Sequence, residues 1–125
     1  MNKYHNRKVK TSDGIVHDSR KEGIRWEQLK LMEEEGKIHE LRRQMEFLLI
    51  PAQYEEIQTG KRGKKPKKKL VERAVVYRAD FVYHDEQGEI IVEDVKGYKG
   101  GGAYSVFAIK RKLMLYVYGI RIKEI

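Results

Sequence analysis

Two aspartates, Asp80 and Asp94, have a spacing that could bring two carboxylates to one place. They lie in two β-rich runs, 74–83 and 89–96, which the sequence predicts to form a hairpin. If 86–88 form the loop, counting outwards along an antiparallel ladder sets Asp80 directly opposite Asp94. Like charges that face each other at about 5 Å destabilise a sheet unless something neutralises them. A divalent cation held by oxygen ligands is the expected neutraliser.

A lysine completes this group. Because side chains alternate along a strand, Lys96 shares the face of Asp94, whereas Val95 and Glu93 point to the other face. Asp94 rather than Glu93 is therefore the predicted metal ligand. Carboxylates that hold Mg²⁺ beside a lysine suit phosphodiester hydrolysis, in which the ion activates water and the lysine stabilises negative charge. The alternative is an exposed Asp94–Lys96 ion pair on a surface hairpin. Against it, the two residues follow the apolar run 90–92, which is typical of a buried strand.

Helices and further strands must position these residues. One helix is predicted to begin at Ser19, a capping residue with Glu22 three positions later, and to end at Gly36. Residues 41–51 predict a strand, and 104–118 a second helix followed by a short strand. The second helix is expected to bury a stripe with helical spacing, Val106, Ile109, Leu113, Tyr116 and Val117. Apolar residues on both faces of the hairpin predict an α/β fold with helices on both sides of the sheet.

Composition limits the class of protein. A chain of 125 residues has room for one domain, and its net charge of +8 with a pI near 9.6 favours a polyanionic partner, nucleic acid before an anionic membrane. The absence of cysteine excludes disulfides, thiolate zinc sites and cysteine nucleophiles. With no apolar run that resembles a signal peptide or a membrane span, the expected location is the cytoplasm.

Positive charge is concentrated in two segments. Residues 1–12 read as a flexible basic arm, and 60–69 hold seven basic residues in ten and are predicted to form a loop. The loop is expected to contact DNA phosphates, although a solvated insertion or a run that resembles a nuclear-localisation signal is the alternative. Lys110 is expected to bind DNA near the start of the second helix, and a solvated helix face is again the alternative. The predicted DNA-binding lysines are Lys64, Lys65, Lys67, Lys68, Lys69 and Lys110.

Three segments together resemble the pattern of PD-(D/E)XK nucleases. They are Arg78-Ala79-Asp80-Phe81, then Glu93-Asp94-Val95-Lys96-Gly97, and the helical Ser19-Arg20-Lys21-Glu22. More narrowly, nearly the whole chain is similar to small phage and prophage endonucleases described as Holliday-junction-resolvase-like. If the protein is encoded by a phage, this resemblance implies that it acts in the cytoplasm of a bacterial host. The resemblance implies a restriction-endonuclease-like core, which is a mixed β-sheet between helices, with Mg²⁺ or Mn²⁺ as cofactor and DNA as substrate.

The resemblance also assigns roles. Asp80, Asp94 and Glu22 would bind the metal, together with Val95, and Lys96 would be the catalytic lysine. Glu22 has a second explanation, because a glutamate three residues after a capping serine also completes a capping box.

The expected function is therefore a metal-dependent DNA endonuclease that acts on branched DNA in phage recombination or genome processing, working as a homodimer. Two alternatives are kept. One is a transposition or restriction-type nuclease that uses the same site on linear duplex. The other is a basic DNA-binding protein without catalysis, in which the acids are structural.

Overall fold

The computed structural model describes residues 7–58, 60, 62–97 and 99–125. In chain order its elements are β1 (Val9–Lys10), β2 (Val16–His17), α1 (Arg20–Glu34), β3 (His39–Ile50), β4 (Gln53–Ile57), β5 (Lys67–Glu72), β6 (Val75–His84), β7 (Ile90–Asp94), α2 (Gly101–Tyr118) and β8 (Lys123–Glu124). The protein is thus a mixture of α and β structure, as predicted.

A four-stranded sheet in the order β3-β6-β7-β8 forms the centre of the fold. Pairing is antiparallel from β3 to β7 and parallel between β7 and β8, so the sheet is mixed. In the β6–β7 hairpin Phe81 pairs with Glu93, and the same register continued by one residue sets Asp80 opposite Asp94. This is the predicted register. The turn is held by Asp85, whose side chain accepts hydrogen bonds from the backbone of Gln87 and of Glu89.

Each face of this sheet is covered by one helix. On one face α1 contributes Trp26 and Leu29 to a buried cluster with Phe81 and Tyr83. On the other face α2 contributes residues to a second cluster, which comprises Phe47, Leu49, Tyr77, Ala79, Val82, Val92, Phe107, Met114 and Ile122. The prediction of helices on both faces is confirmed.

The orientation of α2 corrects the predicted stripe. Phe107 and Met114 are the buried residues of this helix, whereas Tyr116 is 87% exposed. Val106 and Ile109 are exposed as well. Apolar residues surround much of α2, so their spacing was compatible with more than one buried face. Lys110 lies in the middle of the helix, not near its start as predicted.

Two segments predicted as unstructured contain strands. Lys67–Lys69, placed in the basic loop, belong to β5, which pairs with β4 in a separate two-stranded ribbon. Val9–Lys10, placed in the basic arm, pair with Val16–His17 across a turn in which Gly14 has φ 87°. Cross-strand pairing, which local composition does not reveal, overrides the polar character of both segments. The first six residues of the arm, like Lys61 in the loop, lie outside the described residues.

Candidate active site

A cavity of about 560 Å³ lies where α1 begins and the β6–β7 hairpin ends. It brings together four residues that the sequence assigned to the metal site: Glu22, Asp80, Asp94 and Val95. Glu22 and Asp94 are buried and Asp80 is half-buried, so the acids form the floor of the cavity. Three exposed basic residues, Arg7, Arg20 and Lys21, also line it, and so does one exposed acid, Asp18.

Helix α1 delivers Glu22 through its cap. The Ser19 hydroxyl oxygen accepts a hydrogen bond of 3.1 Å from the backbone N–H of Glu22. The cap therefore uses the backbone of Glu22, and its carboxylate is available to the cavity, where Gln44 Nε2 lies 3.4 Å from Oε1. Burial, and then the charge of Asp18, raises the pKa of this carboxyl. His17, itself buried, places Nδ1 at 3.9 Å from the same oxygen.

Asp80 is held by the strand beside it, since its Oδ2 accepts a 2.8 Å hydrogen bond from the backbone N–H of Val95. Burial raises the pKa of Asp80 to about 7, helped by the charges of Asp94 and Glu22 and opposed by the Val95 hydrogen bond. A carboxyl that titrates near neutrality among other acids is a common feature of functional sites.

Asp94 is engaged on both oxygens. Tyr77 donates a 2.7 Å hydrogen bond to Oδ2, and Lys96 Nζ lies 3.0 Å from Oδ1. The ammonium of Lys96 also lies 3.5 Å from the ring centre of Phe107, a cation–π contact that holds it against α2. Burial and the Asp94 charge raise the pKa of Tyr77, which therefore remains a hydrogen-bond donor.

The backbone around Lys96 is fixed from two sides. Its N–H donates to the carbonyl of Ile125, and Ile125 N–H donates to the carbonyl of Asp94, so the end of the chain extends the pairing of β7 with β8. Lys21 Nζ donates a 2.8 Å hydrogen bond to the Lys96 carbonyl from α1. The segment that carries the acid and the lysine is thus held from both neighbouring elements.

Glu93 serves a different purpose on the α1 face. It is fully buried and makes a bidentate ion pair with Arg25, at 2.7 and 2.6 Å, and accepts a hydrogen bond from the Tyr83 hydroxyl. The hydrogen bond to Glu93 raises the pKa of Arg25. Glu93 therefore points away from Asp94, as alternation predicts, and its charge is satisfied within the fold.

The regular alternation of side chains along β6 is interrupted at Asp80. Tyr77 and Ala79 pack into the cluster on the α2 side of the sheet, whereas Phe81, which regular alternation would place on the same side, packs into the cluster on the α1 side. Gln44 lies opposite Asp80 on β3, between the pairs Arg43–Phe81 and Met45–Ala79, and its backbone has φ 56°. A non-glycine residue in the left-handed region costs of order 1–2 kcal/mol, and such strain clusters at functional sites.

Sequence reasoning missed six residues of this site. Gln44, Tyr77 and Lys21 contact the site's acids or its lysine backbone, and three more, Arg7, Asp18 and Arg20, stand at the rim. Only Arg20 and Lys21 lay within a segment that resembles the nuclease pattern. Conversely, neither Lys96, the predicted catalytic lysine, nor the predicted DNA-binding lysines, among them Lys110, are part of the cavity lining.

The donor set suits a hard divalent cation, because Mg²⁺ and Mn²⁺ prefer carboxylate and carbonyl oxygens and four carboxylates, those of Asp18, Glu22, Asp80 and Asp94, line one cavity. Within the described part of the chain, no three His, Asp or Glu side chains lie in positions that could hold a metal ion together. The chemistry of the donors therefore fits a cation, and the side-chain positions are not those of a closed coordination sphere.

Fold and cavity together define an α/β protein with an acidic site at the junction of a helix and a mixed sheet. The family model for a protein of unknown function, DUF1064, matches residues 1–123, and the chain belongs to that family. No curated protein and no solved structure matches the chain. Among the described residues no helix has both the length and the apolar character needed to cross a membrane.

Proposed function

We propose that the protein is a metal-dependent DNA endonuclease whose site is the cavity between α1 and the β6–β7 hairpin. The observation that carries the proposal is the pairing of an acidic floor with a basic rim. Glu22, Asp80 and Asp94 line the inside of the cavity, whereas Arg7, Arg20 and Lys21 stand exposed at the opening beside one exposed carboxylate, that of Asp18. Such a site can hold a cation and an anionic phosphodiester at the same time.

Each residue has a role in this proposal. Glu22, Asp80 and Asp94 would hold Mg²⁺ or Mn²⁺, with the Val95 backbone beside them. When bound, the ion would polarise the phosphoryl oxygen and make a bound water more acidic. Lys96 is oriented by Asp94 and by the Phe107 ring, and its ammonium would stabilise the charge that develops on the phosphate.

The basic residues at the rim would position the DNA backbone. The exposed side chains of Arg7 and Arg20 can reach phosphates that flank the bond to be cut. Lys21 is partly committed, because its ammonium bonds to the Lys96 carbonyl, and it would link substrate binding to the position of Lys96. Branched DNA as the preferred substrate, and the homodimer that two symmetric cuts need, follow from the resemblance to resolvase-like endonucleases.

The test is a cleavage panel of four-way junction, flap, linear duplex and supercoiled plasmid with Mg²⁺ or Mn²⁺. The wild type should nick at least one of these, and Asp94→Ala should lower the rate by about 10²-fold or more, the scale for losing a group that stabilises the transition state. DNA binding in EDTA should be kept or strengthened, because the substitution removes a negative charge.

The matched control is Glu89→Ala, which removes an exposed carboxylate from the same hairpin outside the cavity. It should cleave like the wild type. Circular dichroism checks that both variants are folded. A wild type that cuts none of the substrates with either ion, or an Asp94→Ala protein that cuts as fast as the control, would refute the proposal and leave the non-catalytic DNA-binding alternative.

A further inference from the structure

The ribbon of β4 and β5 stands apart from the body of the protein. It continues the two chain segments that pair as β3 and β6, yet every residue of β4 (Gln53–Ile57) and of β5 (Lys67–Glu72) is exposed. An isolated two-stranded ribbon is only marginally stable in water, so a ribbon without a core of its own calls for a function in binding.

Half of the net charge of the chain lies in this segment. Residues 53–72 contain seven lysine or arginine residues and three glutamates, a net charge of +4 out of the +8 of the whole protein. The acidic residues stand on the strands, and the basic residues that the structure describes lie between 62 and 69, where the last three belong to β5. The outer half of the ribbon is therefore strongly positive.

Positive charge is present on both faces of the ribbon. Lys69 pairs with Glu55 and Lys68 pairs with Glu56, and since directly paired residues share a face, these two lysines point to opposite sides. Lys67 is on the side of Lys69. Among the described residues no ion pair involves these three lysines, so their ammonium groups are open to an outside partner.

Exposed apolar groups accompany the charges. Tyr54 pairs with Leu70 on the face of Lys68, and their exposed fractions are 58% and 45%. Ile57 lies on the other face next to Lys67 and is also exposed. Each face therefore offers both an ammonium group and an apolar contact.

We propose that this ribbon docks in the major groove of duplex DNA, a role that rests on DNA being the substrate in the proposed function. The major groove, about 12 Å wide, admits a two-stranded β-ribbon and has phosphates along both walls. Lysines on both faces of the ribbon can contact the phosphates on both walls of the groove. A ribbon that lay flat against one DNA strand would need its lysines on one face only. None of the described residues of 53–72 lines the cavity, so the DNA contacts of the ribbon would be separate from those of the cavity.

The experiment measures binding in EDTA, where no cleavage occurs, to a duplex DNA, the corresponding single strand and an RNA duplex of the same sequence. Two ribbon variants separate the faces, Lys67→Gln/Lys69→Gln on one and Lys68→Gln on the other. The control is Lys37→Gln/Lys123→Gln, which removes two exposed lysines near the opposite end of β6. All substituted positions are exposed, and thermal unfolding confirms that the fold is unchanged.

For duplex DNA, each lysine lost from either face should reduce the slope of log K against log salt by about 0.9, the value for one phosphate contact. The control should change the slope less. Binding to the single strand, which has no groove, and to the RNA duplex, whose major groove is too narrow for side chains to read, should depend much less on these lysines.

Three outcomes would overturn the docking role: an effect from one face only, equal losses on the single strand or the RNA duplex, or losses no larger than those of the control. The cleavage panel and this binding assay use different variants and different conditions. A result against nuclease activity can therefore be told apart from a result against DNA binding by the ribbon.

Discussion

Replacing Asp80 by asparagine should stabilise the protein when no metal is present. The pKa of Asp80 rises from 3.8 to about 7 on folding, chiefly through burial. A raised pKa in the folded state means that the stability contributed by this group is fully present below the unfolded pKa and is lost as the pH rises through the folded one. At 1.36 kcal/mol per pKa unit, the carboxyl lowers stability by about 2 kcal/mol at pH 5, where it must take up a proton on folding, and by about 4 kcal/mol at pH 8, where it is buried as the anion. The carboxamide oxygen of asparagine can still accept the Val95 N–H.

The assay is thermal unfolding in EDTA at both pH values, with Glu86→Gln as control, since Glu86 is an exposed carboxylate in the turn of the same hairpin. At about 4 °C per kcal/mol for a domain of this size, the advantage of Asp80→Asn over the wild type should grow by roughly 8 °C from pH 5 to pH 8. The control should show no such growth. An advantage that is absent, or equal at the two pH values, would refute the electrostatic account of the cavity.

Adding Mg²⁺ extends the same test. A cation bound by Asp80 displaces its proton and stabilises only the folded state, so the wild type should gain stability with Mg²⁺ and Asp80→Asn should not. Binding of Mg²⁺ should also tighten as the pH rises through about 7, with proton release visible by calorimetry in buffers of different ionisation enthalpy. No gain in the wild type would contradict the metal site and leave the apo result intact.

Two further predictions concern residues behind the cavity. Burial, then the charge of Arg43, lowers the pKa of His17. The stability that this neutral histidine contributes is therefore present above the unfolded pKa near 6.5 and is lost as the pH falls. Between about pH 7 and pH 5 the Tm of the wild type should fall more than that of His17→Gln, and equal falls would contradict this prediction. Arg25→Ala leaves Glu93 buried without its ion pair and should lower the free energy of unfolding in urea by about 3 kcal/mol or more. Adding Glu93→Gln should recover most of this loss. A double variant as unstable as the single one would show that the buried charge is not the cause.

Local rules accounted for much of the fold and for the centre of the site. The cap at Ser19 depends on a side chain and a backbone group three residues apart. The register that sets Asp80 opposite Asp94 depends on the length of one turn. Both are short-range features, and the sequence predicts them because their partners are near in the chain.

Neighbours distant in sequence decided the rest. The buried face of α2 could not be chosen from a helix with apolar residues on several sides, and Tyr116, predicted in the core, is exposed. The pairing of Arg25 with Glu93 spans 68 positions, and no periodicity signals it. The strands of the ribbon depend on cross-strand partners rather than on the composition of β5.

The sequence by itself determined that two carboxylates face each other with a lysine alongside, because residue type and turn length specify this arrangement. The tertiary structure alone decided what surrounds them. The helix start that adds Glu22 and Lys21, the tyrosine that bonds to Asp94 and the strained Gln44 opposite Asp80 come from other elements. Burial among these elements is what moves the pKa of Asp80, and burial is a property of the packed chain, not of a motif.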